Sequence, residues 1–540
     1  MFGSEREYKQ LDELRSYFGE KAAFYFAFLA HYTKWLGYIA IPSALALVLQ
    51  LIPASWATEP GQQIGWTGFD NVLVPWFSLG IALWATFFLE SWKRQESILA
   101  FIWDCRFYEQ KREQKLRPEF CRNPDTQLQY GFYTKNGNFV SGGRRASPYF
   151  PRRARLVRMA QSFSLVIVCL LCLVIATLST FVFRAFLRVS DSYATFLRNF
   201  HGESAGSISD DLAVDSTSSF IQATFNLLFI VIFNSVYRKL ALKLTQWENH
   251  RTSKSFEDAF IIKAFAFTAV NSYISLFYVA FVRSSRPQLF GITTFEGREL
   301  IDACTNRTYS DGSGLENDCM FDLFVQLVIV MLGKQTGRNF MNIGLPYLVR
   351  WFRNRSFRLK RLERIKLGKQ MAEASGGDAS AAAAEALVVA PRLDDGDRLD
   401  ELEGFEKIEL ESNLLPAQSL LYEYNEMAIQ YGYVVMFAAA APWTSFFCVL
   451  SNMIERRTDG TKMLYGKQRM RYEGAAGIGT WYAVFESLSL AGIIVNAFII
   501  VFTSQVFFLS LDPFLPYVRA HSSHISPFKF FYSRSACVMS

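Results

Sequence analysis

Histidine is scarce in this chain, with five in 540 residues. Histidine-based catalysis and zinc chemistry, which draw on imidazole more than on any other side chain, are therefore not expected. The common signatures of nucleotide and metal chemistry are missing too. There is no GxxxxGK[ST] loop, no GxGxxG fingerprint and no HExxH. No enzymatic activity and no nucleic-acid partner are expected. Charge is low as well: 19% of residues are Asp, Glu, Lys or Arg, against roughly 25% in soluble globular proteins. Eight cysteines are too few and too scattered for a disulfide scaffold. The opening, MFGSEREYKQLDELR, has no apolar core of the kind a cleavable signal peptide needs, so the first span itself directs insertion. No internal repeat is visible.

What the chain has instead is apolar bulk: 51% hydrophobic residues, 16% aromatic, 51 of them Phe. These residues fall in long runs, and a helix needs roughly 20 apolar residues to cross a bilayer. The pattern predicts an all-α polytopic integral membrane protein with about nine spans, near 34–54, 71–92, 160–187, 219–238, 260–283, 320–349, 424–441, 443–460 and 478–505. Residues 1–33 form a cytosolic approach, 370–420 a flexible, solvated linker containing SGGDASAAAAEA and LDDGDRLDELEGFE, and 506–540 a tail. The polar segments alternate in sign. Segment 93–158 has 15 Lys or Arg against 6 Asp or Glu, and 350–369 has 9 against 1. Segment 189–218 has 1 against 5, and 284–318 has 3 against 6. Basic loops stay in the cytosol, so the N-terminus is placed inside and 284–318 outside. That loop holds Cys304 and Cys319, a candidate disulfide in an oxidising compartment, and Asn306-Arg-Thr, a candidate glycosylation sequon. Cys169, Cys172 and Cys448 lie in apolar runs and read as small packing residues.

Four carboxylates bracket the stretch 424–460. Glu423 and Glu426 open it in LLYEYNEMAIQYGYVVMF, and Glu455 and Asp459 close it in FFCVLSNMIERRTDG. Basic residues flank both sides, which calls for an even number of crossings and favours a helical hairpin turning near Pro442. All four acids then meet at one depth. Spacings of three and four place each pair on one helix face, where like charges repel. A bound divalent cation removes the repulsion, and hard oxygen donors suit calcium above all. The plainer alternative is four solvated carboxylates at helix ends.

The sixth span starts apolar, MFDLFVQLVIVML, then turns polar at Gly333, Lys334, Gln335, Thr336, Gly337, Arg338 and Asn339 before resuming as FMNIGLPYLV. Its polar part must face protein or water rather than lipid. Gly333 and Pro346 are candidate gating hinges; the lesser alternative is a glycine-rich packing face between helices. Asn339 and Asn342 fall near the depth of the hairpin acids, where their amide oxygens are candidate ligands. Lys263, Lys334 and Gln335 are candidate pore or groove residues; Lys263 reads equally as a snorkelling side chain.

Several stretches carry a resemblance: RSYFGEKAAFYFAFLAHYTKWL, ESWKRQESILAFIWD with RPEF, WENHRTSKSFEDAFIIKAFAFTAVNSYISLFYVAF, VIVMLGKQ with IGLP, EYNEMAIQYGYVVMF, SNMIERRTDGTKM, and GIGTWYAVFESLSLAGIIVNAFIIVFTS. With these the chain resembles the anoctamin family of calcium-activated ion channels and lipid scramblases, from about residue 15 to 505. The resemblance implies a ten-helix homodimer with a membrane-exposed cavity and two calcium ions held within the bilayer toward the cytosol. Its hairpin ligands match Glu423, Glu426, Glu455 and Asp459. In the sixth span the family places Asn and, four residues later, Glu just before its Ile-Gly-Ile-Pro motif. Here Asn342 stands before IGLP and Asn339 precedes it by three, so one carboxylate is lost. The family's large cytosolic N-terminal domain and its tenth helix have no visible counterpart.

The expected function is a calcium-activated phospholipid scramblase, passing lipids between leaflets and also conducting ions. The alternatives are a calcium-activated chloride channel, a non-transporting membrane tether, or an ion-coupled transporter. Expected partners are membrane phospholipids, calcium ions, chloride or other small ions, and a second copy of the chain, in the plasma membrane or the endoplasmic reticulum.

Overall fold

The computed structural model describes residues 5–51, 73–108, 116–134, 139–189, 207–283, 288–293, 299–302, 304, 306–308, 315–317, 319–339, 344, 348, 351–352, 355, 414, 416–417 and 419–502. Ten helices carry the described fold: α1 (Glu5–Phe18), α2 (Glu20–Leu51), α3 (Leu73–Ile102), α4 (Arg152–Val189), α5 (Ser207–Trp247), α6 (Ser253–Phe277), α7 (Cys319–Asn339), α8 (Leu421–Met436), α9 (Thr444–Thr461) and α10 (Thr480–Phe502). Helix α6 continues as a π-helical turn, Tyr278–Arg283, and α9 as another, Lys462–Gly466. A five-residue helix, Pro118–Arg122, lies between α3 and α4. The linker 370–420, apart from a few residues at its end, and the tail 506–540 lie outside the described residues.

Among the described residues, five stretches are long and apolar enough to cross a membrane: Val74–Ile102, Arg152–Leu187, Thr217–Trp247, Ser253–Arg283 and Thr480–Val501. They coincide with the second, third, fourth, fifth and ninth predicted spans. The other four predicted spans are not established as crossings. Helices α2, α7, α8 and α9 occupy them, but their make-up differs. In α7 the apolar part is limited to Asp322–Met331, ahead of the polar run. Helix α8 is only 16 residues long, and α9 carries Glu455, Arg456, Arg457 and Asp459 in its last turns.

An all-α description is also too strict. The polar connections hold three two-stranded antiparallel sheets: β1 (Gln127–Tyr133) with β2 (Phe139–Tyr149), β3 (Gln288–Thr293) with β4 (Glu299–Ile301), and β5 (Asn306–Thr308) with β6 (Leu315–Asn317). In β1 the sequence QLQYGFY alternates with the period of a strand. Its register pairs Leu128 with Pro148, Tyr130 with Ala146 and Phe132 with Val140. The hairpin is fixed to the turn between α5 and α6: Asn249 Nδ2 donates to Thr126 Oγ1 (3.1 Å), and the Arg251 guanidinium stacks 4.2 Å from the Tyr133 ring centre.

The core is aromatic. Tyr25, Phe28 and Tyr32 of α2 follow one helical face and are fully buried. They meet Phe88 and Trp92 of α3, Tyr424 and Tyr431 of α8, and Phe485 of α10, largely in tilted or edge-to-face contacts, which the ring quadrupoles favour. The hairpin formed by α8 and α9 is thereby enclosed. Helix α9 packs on α2, and α8 on α10. Between α8 and α6 the approach is very close: a Cβ on Gly432 would lie 2.0 Å from the Tyr273 hydroxyl oxygen, and that hydroxyl donates to the Ile429 carbonyl (2.9 Å). Helices α5 and α6 are joined by buried amides, Asn226 Nδ2 donating to Ser275 Oγ (2.9 Å) and Asn271 Nδ2 to Asn234 Oδ1 (2.8 Å). Polar groups of this kind hold helices together where lipid offers no hydrophobic contrast.

Candidate metal centre

Helix α8 ends at Met436 and α9 starts at Thr444, with the buried turn FAAAAPW between them. The chain reverses there, which returns the end of α9 to the start of α8. Carboxylate oxygens of Glu423, Glu426 and Glu455 lie within 4.8 Å of one another, with Glu423 and Glu455 buried and Glu426 half-buried. Calcium–oxygen bonds are about 2.3–2.6 Å long. Two ligands of one such ion are at most about 5 Å apart, so three oxygens within 4.8 Å of one another can share a single ion, and the donor set is all hard oxygen. The residues fit calcium.

Asp459 joins the group indirectly. The buried Lys462 ammonium donates to Glu423 Oε1 (2.6 Å) and to Asp459 Oδ1 (2.8 Å). The Tyr25 hydroxyl, from α2, donates to the other oxygen of Asp459 (2.5 Å). Thus α2, α8, α9 and the turn after α9 all converge on the four acids. A cleft lined by Glu423, Lys462, Met463, Lys467, Gln468 and Met470 opens beside them. Lys462 was missed in the sequence because it is one of many basic residues that follow Asp459. The signal available was its offset of three, which on a helical backbone returns it to the Asp459 face.

Other predicted residues sort as follows. Asn342 and Pro346 lie outside the described residues, while Lys334, Gln335 and Asn339 are described only as part of the α7 backbone. Gly333 packs on α5: a Cβ there would come 2.2 Å from Leu227 Cδ2. Lys263 donates to Glu248 Oε2 (2.6 Å), the same oxygen that His250 Nε2 meets at 2.8 Å. Burial alone would raise the Glu248 pKa, but hydrogen bonds from His250 and Lys263 hold it below the ordinary glutamate range. Lys21, near the start of α2, bridges Glu257 and Glu473 at 2.7 Å each. Burial opposes its charge, yet those two carboxylates hold its pKa above the usual lysine value.

A second charged cluster sits far from the acids. Arg184 of α4, Arg283 after α6, Asp302 and Asp322 of α7 are all buried. Arg184 pairs with Asp302, Arg283 Nε with Asp302 Oδ2 (3.1 Å), and Arg283 Nη1 with Asp322 Oδ2 (3.1 Å). Tyr278 adds a hydroxyl to Asp302 (3.1 Å). Burial would raise the Asp302 pKa, but Arg283 and Arg184 hold it below the ordinary aspartate value. A disulfide between Cys304 and Cys319, Cα atoms 5.0 Å apart, ties together the two segments that carry the aspartates. The cysteines stand out in the sequence, whereas Arg184 and Arg283 sit at the ends of apolar runs, each with another arginine close by, and resemble ordinary flanking charges.

A family model described as "Anoctamin: Calcium-activated chloride channel" matches residues 14–536, including the tail that showed no clear span. Human anoctamin-7 is 31% identical over 535 residues, covering 92% of this chain and 50% of that protein. Rat anoctamin-7 is 30% identical over 541 residues, covering 93% of this chain and 54% of its own length. Bovine anoctamin-4 is 29% identical over 533 residues, covering 92% and 50%. The chain spans about half the length of these relatives.

Proposed function

This chain belongs to the anoctamin family, and from that premise we propose that it is a calcium-activated phospholipid scramblase, moving lipids passively between leaflets. The observation that carries the reading is the convergence of Glu423, Glu426 and Glu455 within 4.8 Å at the open end of a helix hairpin, opposite its turn. In this reading these three residues hold calcium, with Asp459 and, from the sixth span, Asn342 and Asn339 completing the shell. A bound ion supplies positive charge that offsets the repulsion among buried acids. The start of α8 and the end of α9 then draw together, and α7 packs against them with Gly333 and Pro346 as hinges. Such a change is driven only if the ion is held more tightly in the conducting arrangement than in the closed one.

The lipid path runs along α5 to α8. Lys263, Lys334 and Gln335 present polar groups to headgroups while the acyl tails remain in the bilayer. No covalent step is required. We place the N-terminus in the cytosol, the Cys304–Cys319 loop with Asn306 outside, the protein in the plasma membrane or endoplasmic reticulum, and two copies in the functional assembly. An anion-channel activity is the second reading, favoured by the wording of the matching family description.

The test is lipid scrambling in liposomes, wild type beside Glu426→Gln. Wild type scrambles fluorescent lipid when calcium is added, and the variant requires about tenfold or more calcium, the loss of one ligand charge from a divalent site. Unchanged calcium sensitivity in the variant would sink the site. Calcium-evoked anion current without lipid movement would replace the scramblase with the channel.

A further inference from the structure

We infer that Lys462 is a built-in competitor for the divalent cation, an ammonium that sets how much calcium the site requires. The inference rests on the calcium reading above and adds a residue to it.

Four observations support it. The ammonium bridges one carboxylate of α8 and one of α9, Glu423 at 2.6 Å and Asp459 at 2.8 Å. It is buried, with 3% of its side chain exposed, and its two partners are as deeply enclosed. It lines the cleft that opens onto Glu423. And Glu423, which it contacts, is one of the three acids whose oxygens lie within 4.8 Å of one another.

The consequence is electrostatic. Four acids with one ammonium carry a formal charge of −3 rather than −4, counted from Glu423, Glu426, Glu455, Asp459 and Lys462. The ammonium performs for the hairpin part of what a metal would perform: it holds together two like-charged residues on separate helices. A divalent ion seated on Glu423 either displaces Lys462 or shares that carboxylate with it. Either costs affinity, because a unit charge within a few ångströms in a partly dry site interacts strongly. Flexibility makes the exchange feasible. The lysine side chain is a flexible four-carbon stem, so the ammonium can change partners without unfolding the helix.

The experiment uses the full chain in detergent, with calcium as the probe. Direct calcium binding and thermal unfolding are measured for wild type, Lys462→Met, Lys462→Arg and Glu455→Gln. The methionine variant binds calcium about tenfold or more tightly than wild type. In chelator it unfolds at a lower temperature than wild type, because Glu423 and Asp459 have lost their shared counter-ion. In saturating calcium that deficit disappears or reverses. Arginine keeps the charge and leaves the calcium affinity within a few-fold of wild type. Lys462→Gln shows the same ordering as methionine if the latter folds poorly.

Two outcomes separate the inference from its premise. If wild type binds calcium, Glu455→Gln weakens it, and Lys462→Met leaves it unchanged or weaker, Lys462 is a structural brace only and the inference falls alone. If wild type neither binds calcium nor gains thermal stability from it, the calcium site falls and takes the inference with it.

Discussion

A single hydroxyl decides how Asp459 is held. Tyr25 is fully buried and donates to Asp459, the acid that also meets Lys462. A buried carboxylate deprived of a donor loses about 1–3 kcal/mol, since hydrogen bonds to charged groups are the strong ones. Tyr25→Phe changes little in volume, so the cost is polar rather than steric. The expected result is a loss of about 1–3 kcal/mol in unfolding stability measured in chelator, with a smaller loss in calcium, where the acid has a second counter-charge. Equal losses in both conditions would show that Asp459 stays apart from the ion. At this scale the acids were legible in the sequence, because spacings of three and four mark a helix face whatever the tertiary structure. Lys462 and Tyr25 were not. Lys462 is one of six basic residues between Arg456 and Arg471, and Tyr25 lies some 430 residues away in sequence from its partner. Only folding chooses between such candidates.

Among elements, the contact between α6 and α8 is the tightest test of packing. A methyl group on Gly432 would lie 2.0 Å from the Tyr273 hydroxyl oxygen and 2.7 Å from the ring carbon that bears it. Tyr273 is itself buried between α6 and α8 and stacks edge-on to Tyr433, ring centres 5.2 Å apart. It has little room to yield. Gly432→Ala is expected to cost about 1–3 kcal/mol from overpacking, and to break the bond from Tyr273 to the Ile429 carbonyl. Tyr273→Phe beside it removes the hydroxyl and should recover part of that loss, read as a double-mutant cycle in thermal unfolding. No recovery would mean that the two helices are spaced by other contacts. The hairpin of α8 and α9 was legible because charged flanks count crossings without needing hydropathy. Its arms are too short and too polar at their ends for hydropathy alone to find them. The sheets were not anticipated, because the polar connections were judged by charge; the alternation in QLQYGFY was present but short.

Across the described residues, two of the buried charge clusters follow different logic. The acid cluster has an excess of negative charge, four carboxylates against Lys462. The cluster of Arg184, Arg283, Asp302 and Asp322 is balanced, two against two, and joins α4, α6 and α7 where the disulfide closes the connecting loop. Such a balanced network costs desolvation to assemble, but removal of one member leaves an uncompensated charge. Its pH dependence follows from Asp302. The folded pKa of Asp302 lies below the ordinary value because Arg283 and Arg184 outweigh the effect of burial. A depressed acid contributes stability that is fully present above the unfolded value of about 3.9 and is lost as pH falls through the folded one. Asp302→Asn has no such titration. At pH near 7 the variant should therefore unfold at a lower temperature than wild type, and the gap should narrow below about pH 4, where wild type loses what the variant never had. Thermal unfolding in detergent, with the disulfide intact, measures both curves. A gap that stays constant across that range would mean that Asp302 acts through shape rather than charge. If the gap narrows as expected, the cluster of Arg184, Arg283, Asp302 and Asp322 is held by ion pairing rather than by shape.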